Sequence, residues 1–140
     1  MTAPMVLLPL FVQVGLTFVI LFMMATARTG VLASGQVQFR DIALRQPNWP
    51  EQPTKIANCF SNQFELPVLF YVLVALALPL RRADMVVVLL SWVFVLTRLI
   101  HAGIFLTSND VRQRSLAWFA GALILLIMWI YFAAHILLAL

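Results

Sequence analysis

Four long apolar stretches, separated by short polar segments, dominate the pattern of this chain. Residues 1–27 and 115–140 contain no Asp, Glu, Lys or Arg, while 56–80 and 85–106 are apolar apart from a few polar residues. A transmembrane helix needs about 20 predominantly apolar residues, so each stretch is long enough to cross a bilayer. The pattern predicts an all-α, polytopic membrane protein: one up-down-up-down bundle over residues 1–140. We expect its spans at approximately 4–27, 56–80, 83–107 and 113–138.

Composition supports a membrane protein and excludes several other classes. The 140 residues are 64% hydrophobic and 10% charged, with a mean hydropathy of +1.01, whereas soluble domains average about 25% charged residues. So small a domain could not bury this many apolar side chains in water. The single cysteine, Cys59, excludes an internal disulfide and a multi-cysteine metal cluster, and no metal site is predicted. The basic residues behind the net charge of +4 form no dense cluster, so no nucleic-acid partner is expected.

The distribution of basic residues predicts the orientation. The 28–55 loop and the 108–114 loop together carry six of them, and the hairpin on the opposite side carries only two. Because cytoplasmic loops carry an excess of Lys and Arg, we expect the 28–55 and 108–114 loops in the cytoplasm and the termini on the opposite side. A cleaved signal peptide is disfavoured, because Arg28 follows the first apolar run instead of preceding it. Within the long loop, prolines 47, 50 and 53 predict a polyproline-II stretch.

The polar residues inside the spans are the candidate functional residues. Asn58, Asn62 and Glu65 share one face of the second helix, and Arg98 and His101 share one face of the third. A charge in hydrocarbon costs at least ~2.5–3.5 kcal/mol, so we expect Glu65 to pair with Arg98 across the helix interface. Such a pair could serve only to fix the helix register, or it could belong to a ligand site, and the spacing leaves both open.

Three further residues in the spans have simpler interpretations. Pro67 should kink the second helix because it removes a backbone hydrogen bond. His135 and Cys59 are expected to be buried structural residues. Walker, dinucleotide-binding, GxSxG and HExxH motifs are absent from the sequence, which disfavours the common soluble-enzyme chemistries.

Two motifs resemble those of the MAPEG family, the membrane-associated proteins in eicosanoid and glutathione metabolism. Asn62-Gln-Phe-Glu65-Leu-Pro67 resembles its Asn-x-x-Glu…Pro signature in the second helix. Arg98-Leu-Ile-His101, followed by Leu106-Thr107 and Arg114, resembles its Arg-x-x-His…Leu-Thr…Arg segment. Both motifs fall in the expected helices, and the resemblance covers nearly the whole chain. It suggests a bacterial-type member in the inner membrane.

The resemblance implies a homotrimer that binds glutathione between subunits near the cytoplasmic side. Asn62 and Glu65 would then contact the glutathione backbone or its amine, with Arg98 as a buried counter-charge and His101 as a further contact. Arg114 and Ser115 would lie near the thiol, where Arg114 would be catalytic by favouring the thiolate. A neighbouring subunit would supply Arg28. The implied reaction is attack of the thiolate on a lipophilic electrophile, or reduction of a lipid hydroperoxide.

Three departures from the family pattern bear on whether the protein is an enzyme. Asn58 stands where catalytic members usually carry Arg, and Phe105 and Trp118 stand where a ring hydroxyl is usual. The alternative is therefore a non-catalytic MAPEG-like membrane binding or scaffold protein. A small transporter or channel subunit is disfavoured, because the sequence has neither a repeat nor a pair of broken helices.

Overall fold

Six α-helices make up the computed structural model, which describes residues 1–139. They are α1 (Ala3–Ala33), α2 (Phe39–Ile42), α3 (Glu51–Asn62), α4 (Leu66–Ala77), α5 (Met85–Leu106) and α6 (Val111–Leu137). Helices α3 and α4 follow each other along one span, so four helical segments within these residues are long and apolar enough to cross a membrane. The prediction of an all-α bundle with four spans is confirmed.

The long loop is shorter than the sequence pattern predicts. Helix α1 continues to Ala33 and therefore includes Arg28, and α3 begins at Glu51. Pro50 is the N-cap of α3, and Pro53 lies in its first turn, where a backbone N–H has no helical partner to lose. The prediction of a polyproline-II stretch is thus wrong at Pro53, which is helical. A proline this close to the start of a helix is compatible with the helix.

The kink expected at Pro67 is present as a full break between α3 and α4. Pro67 lies in the first turn of α4, and its ring would clash with the carbonyl of Gln63 in a continuous helix. The chain accordingly leaves the helical conformation near Gln63 and re-enters it after Glu65, the N-cap of α4. The side chain of Gln63 is 1% exposed; its Nε2 donates to the carbonyl of Cys59 at 3.0 Å, and its Oε1 accepts from Nε2 of Gln13 at 3.0 Å. This buried chain of amides links the break to α1.

The interior contains two clusters of apolar side chains. The larger joins α1, α4, α5 and α6 around Phe70 and Phe94, whose ring centroids are 4.9 Å apart. The smaller joins α1, α3 and α5 and includes Cys59 and Phe105. Helices α5 and α6 approach closely at Gly121, where a Cβ atom would lie 2.8 Å from Oγ1 of Thr97. Small residues at such crossings are typical of membrane helix packing.

Candidate functional site

A cavity of about 390 Å³ opens at the end of the bundle where α5 ends and α6 begins. We call it the polar cleft. Its lining includes five residues that the family resemblance assigns to glutathione. They come from the end of α3, the break after it, α5 and α6. The full lining is Asn58, Ser61, Asn62, Glu65, His101, Phe105, Arg114, Ser115 and Trp118.

The guanidinium of Arg98 lies behind the cleft and is completely buried. Its Nη2 donates to the main-chain oxygen of Asn62 at 3.3 Å and to the side-chain Oδ1 of the same residue. Asn62 is the last residue of α3, so the helix break follows directly after the residue that holds Arg98. The Nε and Nη1 atoms of Arg98 have no hydrogen-bond partner within residues 1–139.

Glu65 is connected to Arg98 through Asn62. The side-chain Nδ2 of Asn62 donates to Oε1 of Glu65 at 3.2 Å, while its Oδ1 accepts from Arg98. Among the described residues Glu65 and Arg98 form no direct ion pair, which differs from the arrangement expected from helical spacing. The reason is the break: the chain turns after Asn62, so Glu65 is exposed at the cleft instead of buried one turn further along the same helix.

His101 lies one helical turn after Arg98 on α5 and is 1% exposed. Its Nδ1 has no hydrogen-bond partner in the part of the chain that the structure describes. Its ring packs edge-on against Phe105, with the centroids 5.6 Å apart. Buried polar atoms in proteins nearly always have a hydrogen-bond partner, which makes this nitrogen of a cleft-lining residue a candidate ligand contact.

Arg114 is held at the mouth of the cleft from two sides. Its Nη1 donates to Oδ1 of Asn109 at 2.5 Å, and its guanidinium carbon lies 4.3 Å from the ring centroid of Phe105. Asn109 adopts a left-handed backbone conformation, with a φ of 51°, in the turn before α6, and Asp110 then caps the helix. Phe105 thus supplies a stacking face for the guanidinium where a tyrosine would add a hydroxyl.

Arg28 is not among the residues that line the polar cleft. It lines a neighbouring cavity of about 550 Å³, where its guanidinium carbon lies 4.9 Å from the ring centroid of Trp49. Asn58 and Ser61 line both cavities and form the wall between them. We call this second space the basic cavity.

Sequence reasoning missed two features of the site. Ser61 lines the cleft one turn after Asn58, and extending the polar face of the second helix by that turn would have found it. Gln13 and Gln63, which brace the break, belong to helices far apart in the sequence, and no local pattern connects them.

The fold and the cleft together define a four-span α-helical integral membrane protein with a cleft of mixed charge at one end of its bundle. The MAPEG family model matches residues 6–134, and the chain belongs to the MAPEG family. This family includes glutathione transferases and peroxidases and also non-catalytic members. No curated protein and no solved structure matches the chain significantly.

Proposed function

We propose that the polar cleft binds glutathione and that the protein is a glutathione-dependent membrane transferase or peroxidase. The observation that carries this proposal is the convergence of Asn62, Glu65, His101, Arg114 and Ser115 on one cavity. Its volume of about 390 Å³ falls within the range of about 300–1,000 Å³ that is usual for small-molecule sites.

The charges around the cleft suit a ligand that carries both signs. Glutathione has an amine, two carboxylates and a thiol. The exposed carboxylate of Glu65 suits the amine, and the hydrogen bond from Asn62 orients it. The unpartnered Nδ1 of His101 and the hydroxyl of Ser115 provide further hydrogen-bonding groups. Polar groups of this kind fix a ligand's orientation in a cleft.

Arg114 is the residue we assign to the thiol. A guanidinium next to a thiol stabilises the thiolate and so lowers the pKa of that thiol. Asn109 and Phe105 hold the guanidinium in place without neutralising it, since neither carries a negative charge. In the transferase reaction the thiolate sulfur forms a bond to an electrophilic carbon, and the leaving group departs with the electron pair of its bond. In the peroxidase reaction two glutathione thiols are oxidised to the disulfide, while the lipid hydroperoxide is reduced to the alcohol and water.

Family membership and the charge distribution support a proposal for the assembly and the orientation. We assign a homotrimer, because the MAPEG family is typically trimeric. We place the cleft end of the bundle in the cytoplasm, because six basic residues lie in or beside the loops at that end. A bacterial inner membrane is the matching location. The lipophilic substrate would reach the cleft from the surrounding lipid.

Calorimetric titration of the detergent-solubilised protein with glutathione tests the proposal. We expect saturable binding by the natural chain, with thiolate formation visible in the ultraviolet absorbance. Arg114→Ala should lose the thiolate signal and the conjugation of an electrophilic aryl halide. Arg112→Ala is the matched control, because Arg112 is exposed on the same helical turn but does not line the cleft.

Asn58 and Phe105 favour a second candidate, a non-catalytic membrane binding or scaffold protein. Neither residue supplies the charged or hydroxyl group that catalytic relatives usually have at its position. A folded protein that binds no glutathione at millimolar concentration would support this second function and overturn the first.

A further inference from the structure

The basic cavity carries positive charge and no described acidic side chain in its lining. It lies between the end of α1, the loop that follows α2, and α3, with a volume of about 550 Å³. Arg28 and Arg45 supply the charge, and the rest of the wall combines Trp49 and apolar residues with the polar side chains of Gln46, Thr54, Asn58 and Ser61. Arg45 is held with a φ of 61°, a left-handed conformation that is uncommon for a residue other than glycine.

The Nε of Arg28 has no hydrogen-bond acceptor within residues 1–139. This Nε is buried, and the indole ring of Trp49 covers one face of the guanidinium. A guanidinium presents five N–H donors in its plane, and stacking on a ring satisfies none of them. A guanidinium that lines a cavity and stacks on a ring is suited to an anionic acceptor such as a phosphate.

The position of Arg28 along α1 puts the cavity at the level of lipid head groups. Residues 1–27 carry no charge, and at about 1.5 Å per residue their helix covers the hydrocarbon thickness of about 30 Å. The segment around α2 also exposes large apolar side chains beside basic ones: Phe39 is 76% exposed and Leu44 84% exposed. Apolar residues among arginines are typical of segments that lie in the membrane interface, where tryptophan is also enriched.

From these observations we infer that the basic cavity binds the phosphate head group of an anionic phospholipid. Arg28 and Arg45 donate hydrogen bonds to the phosphate, while Met24, Ile42 and Phe60 contact the glycerol and the upper acyl chain. Basic pockets at the ends of transmembrane helices commonly bind such lipids. The bound lipid would touch Asn58 and Ser61, which also line the polar cleft. This inference does not depend on glutathione binding.

Lipid adducts of the purified full chain, measured by native mass spectrometry, test the inference. The probes are phosphatidylglycerol, phosphatidylcholine and inorganic phosphate, each added to the protein in a neutral detergent. We expect phosphatidylglycerol to bind more tightly than either of the others. Affinity for it should fall roughly five-fold in Arg28→Gln or Arg45→Gln and roughly 30-fold in the double variant.

Two further variants make the result specific. Arg40→Gln removes the same charge from the same segment but from outside the cavity lining, so its affinity should stay within about two-fold of the natural chain. Arg28→Lys keeps the charge and should retain most of the binding. Circular dichroism and gel filtration show whether each variant folds, and the comparison of the three probes on the natural chain needs no variant.

Several outcomes would overturn the inference. One is equal binding of phosphatidylglycerol and phosphatidylcholine by the natural chain. Another is inorganic phosphate binding as tightly as phosphatidylglycerol, which would indicate a site for a free anion. A third is that Arg28→Gln binds phosphatidylglycerol as the natural chain does but, measured without lipid, binds glutathione less tightly. That result would assign Arg28 to the glutathione site of a neighbouring subunit.

Discussion

Asn62 accepts two hydrogen bonds from Nη2 of Arg98 in the interior of the bundle, one on its main-chain oxygen and one on its side-chain Oδ1. The main-chain oxygen and the side-chain amide of Asn62 thus supply acceptors for one nitrogen of a completely buried guanidinium. The same amide donates to Glu65 at the cleft. One residue thus connects a buried charge with an exposed one, which explains why an asparagine stands at this position.

Removing Asn62 should therefore destabilise the protein more than removing the charge it holds. Asn62→Leu leaves the buried guanidinium without its side-chain acceptor, and stranding a buried charge costs about 3–5 kcal/mol. Arg98→Met removes the charge itself and should cost less. The double variant should be more stable than Asn62→Leu alone. Thermal unfolding in detergent measures all three, and a larger loss in Arg98→Met than in Asn62→Leu would contradict this account.

Glu65 should matter for binding and little for stability. Its carboxylate is exposed and contacts Asn62, and exposed substitutions usually change stability by only about 0.5 kcal/mol. Glu65→Gln keeps an acceptor for Asn62 but loses the charge that attracts the amine of glutathione. A charge-assisted hydrogen bond contributes about 1.5–3 kcal/mol, so glutathione affinity should fall about 10- to 100-fold while the melting temperature stays unchanged. A large drop in melting temperature would show instead that Glu65 supports Arg98 structurally.

Asn58→Arg should tighten glutathione binding. Asn58 lines the polar cleft where catalytic relatives usually carry Arg, and a guanidinium there can clamp a carboxylate. The expected gain is about 10-fold or more, from the same charge-assisted hydrogen bond. Asn58→Gln extends the side chain without adding charge and serves as the control. Equal affinities of the two variants in calorimetry would show that the added charge does not meet the ligand.

The brace at the helix break should control the shape of the cleft. Gln63→Leu leaves the carbonyl of Cys59 and the amide of Gln13 without their partner, at about 1–3 kcal/mol for each buried group. Because the break positions Asn62 and Glu65, glutathione affinity should fall together with stability. Gln113→Leu, an exposed change on α6, is the control for added hydrophobicity. Unchanged glutathione binding in Gln63→Leu would show that Pro67 alone maintains the break.

Acid should weaken the end of the bundle opposite the cleft, where Asp84 caps α5. Burial raises the pKa of this carboxyl, but hydrogen bonds from the Tyr131 hydroxyl and the Val87 N–H, with the nearby charge of His135, more than offset it, and the net shift is downward. A lowered pKa means that the ionised carboxylate stabilises the fold. This contribution is fully present above the ordinary Asp pKa of about 3.9 and is lost as the pH falls through the lower, folded-state value.

Tyr131→Phe removes the hydroxyl that donates to Asp84, so part of this acid-sensitive stability should disappear. Melting curves between neutral pH and pH 2 should show a smaller acid-induced decrease in the variant than in the natural chain. Tyr71→Phe is the control, because Tyr71 has no contact with Asp84 among the hydrogen bonds of the described residues. Identical pH dependence in Tyr131→Phe and the natural chain would refute the role of this hydrogen bond.

The sequence by itself determined the number of spans, the all-α class and the family. The reason is that each span needs a long apolar run, and a run of this length is visible in the order of residues alone. The polar residues of the second and third spans were also evident, because a charge in hydrocarbon is rare and costly. Asn62, Glu65, His101, Arg114 and Ser115 could therefore be named as candidates from the motifs, and the structure brings all five to one cleft.

Only the tertiary structure decided how those residues are connected. Helical spacing treats the second span as one regular helix and so expects Glu65 beside Arg98, but Pro67 breaks the helix and places Asn62 between them. How the chain passes through the break depends on Gln63 and on Gln13, fifty positions away in the sequence. The stacking of Arg28 on Trp49 likewise depends on how the loop before α3 folds over α1. Contacts between segments far apart in the sequence determine both the path of the helix break and the packing of this loop. The spacing of residues along a single helix cannot predict such contacts.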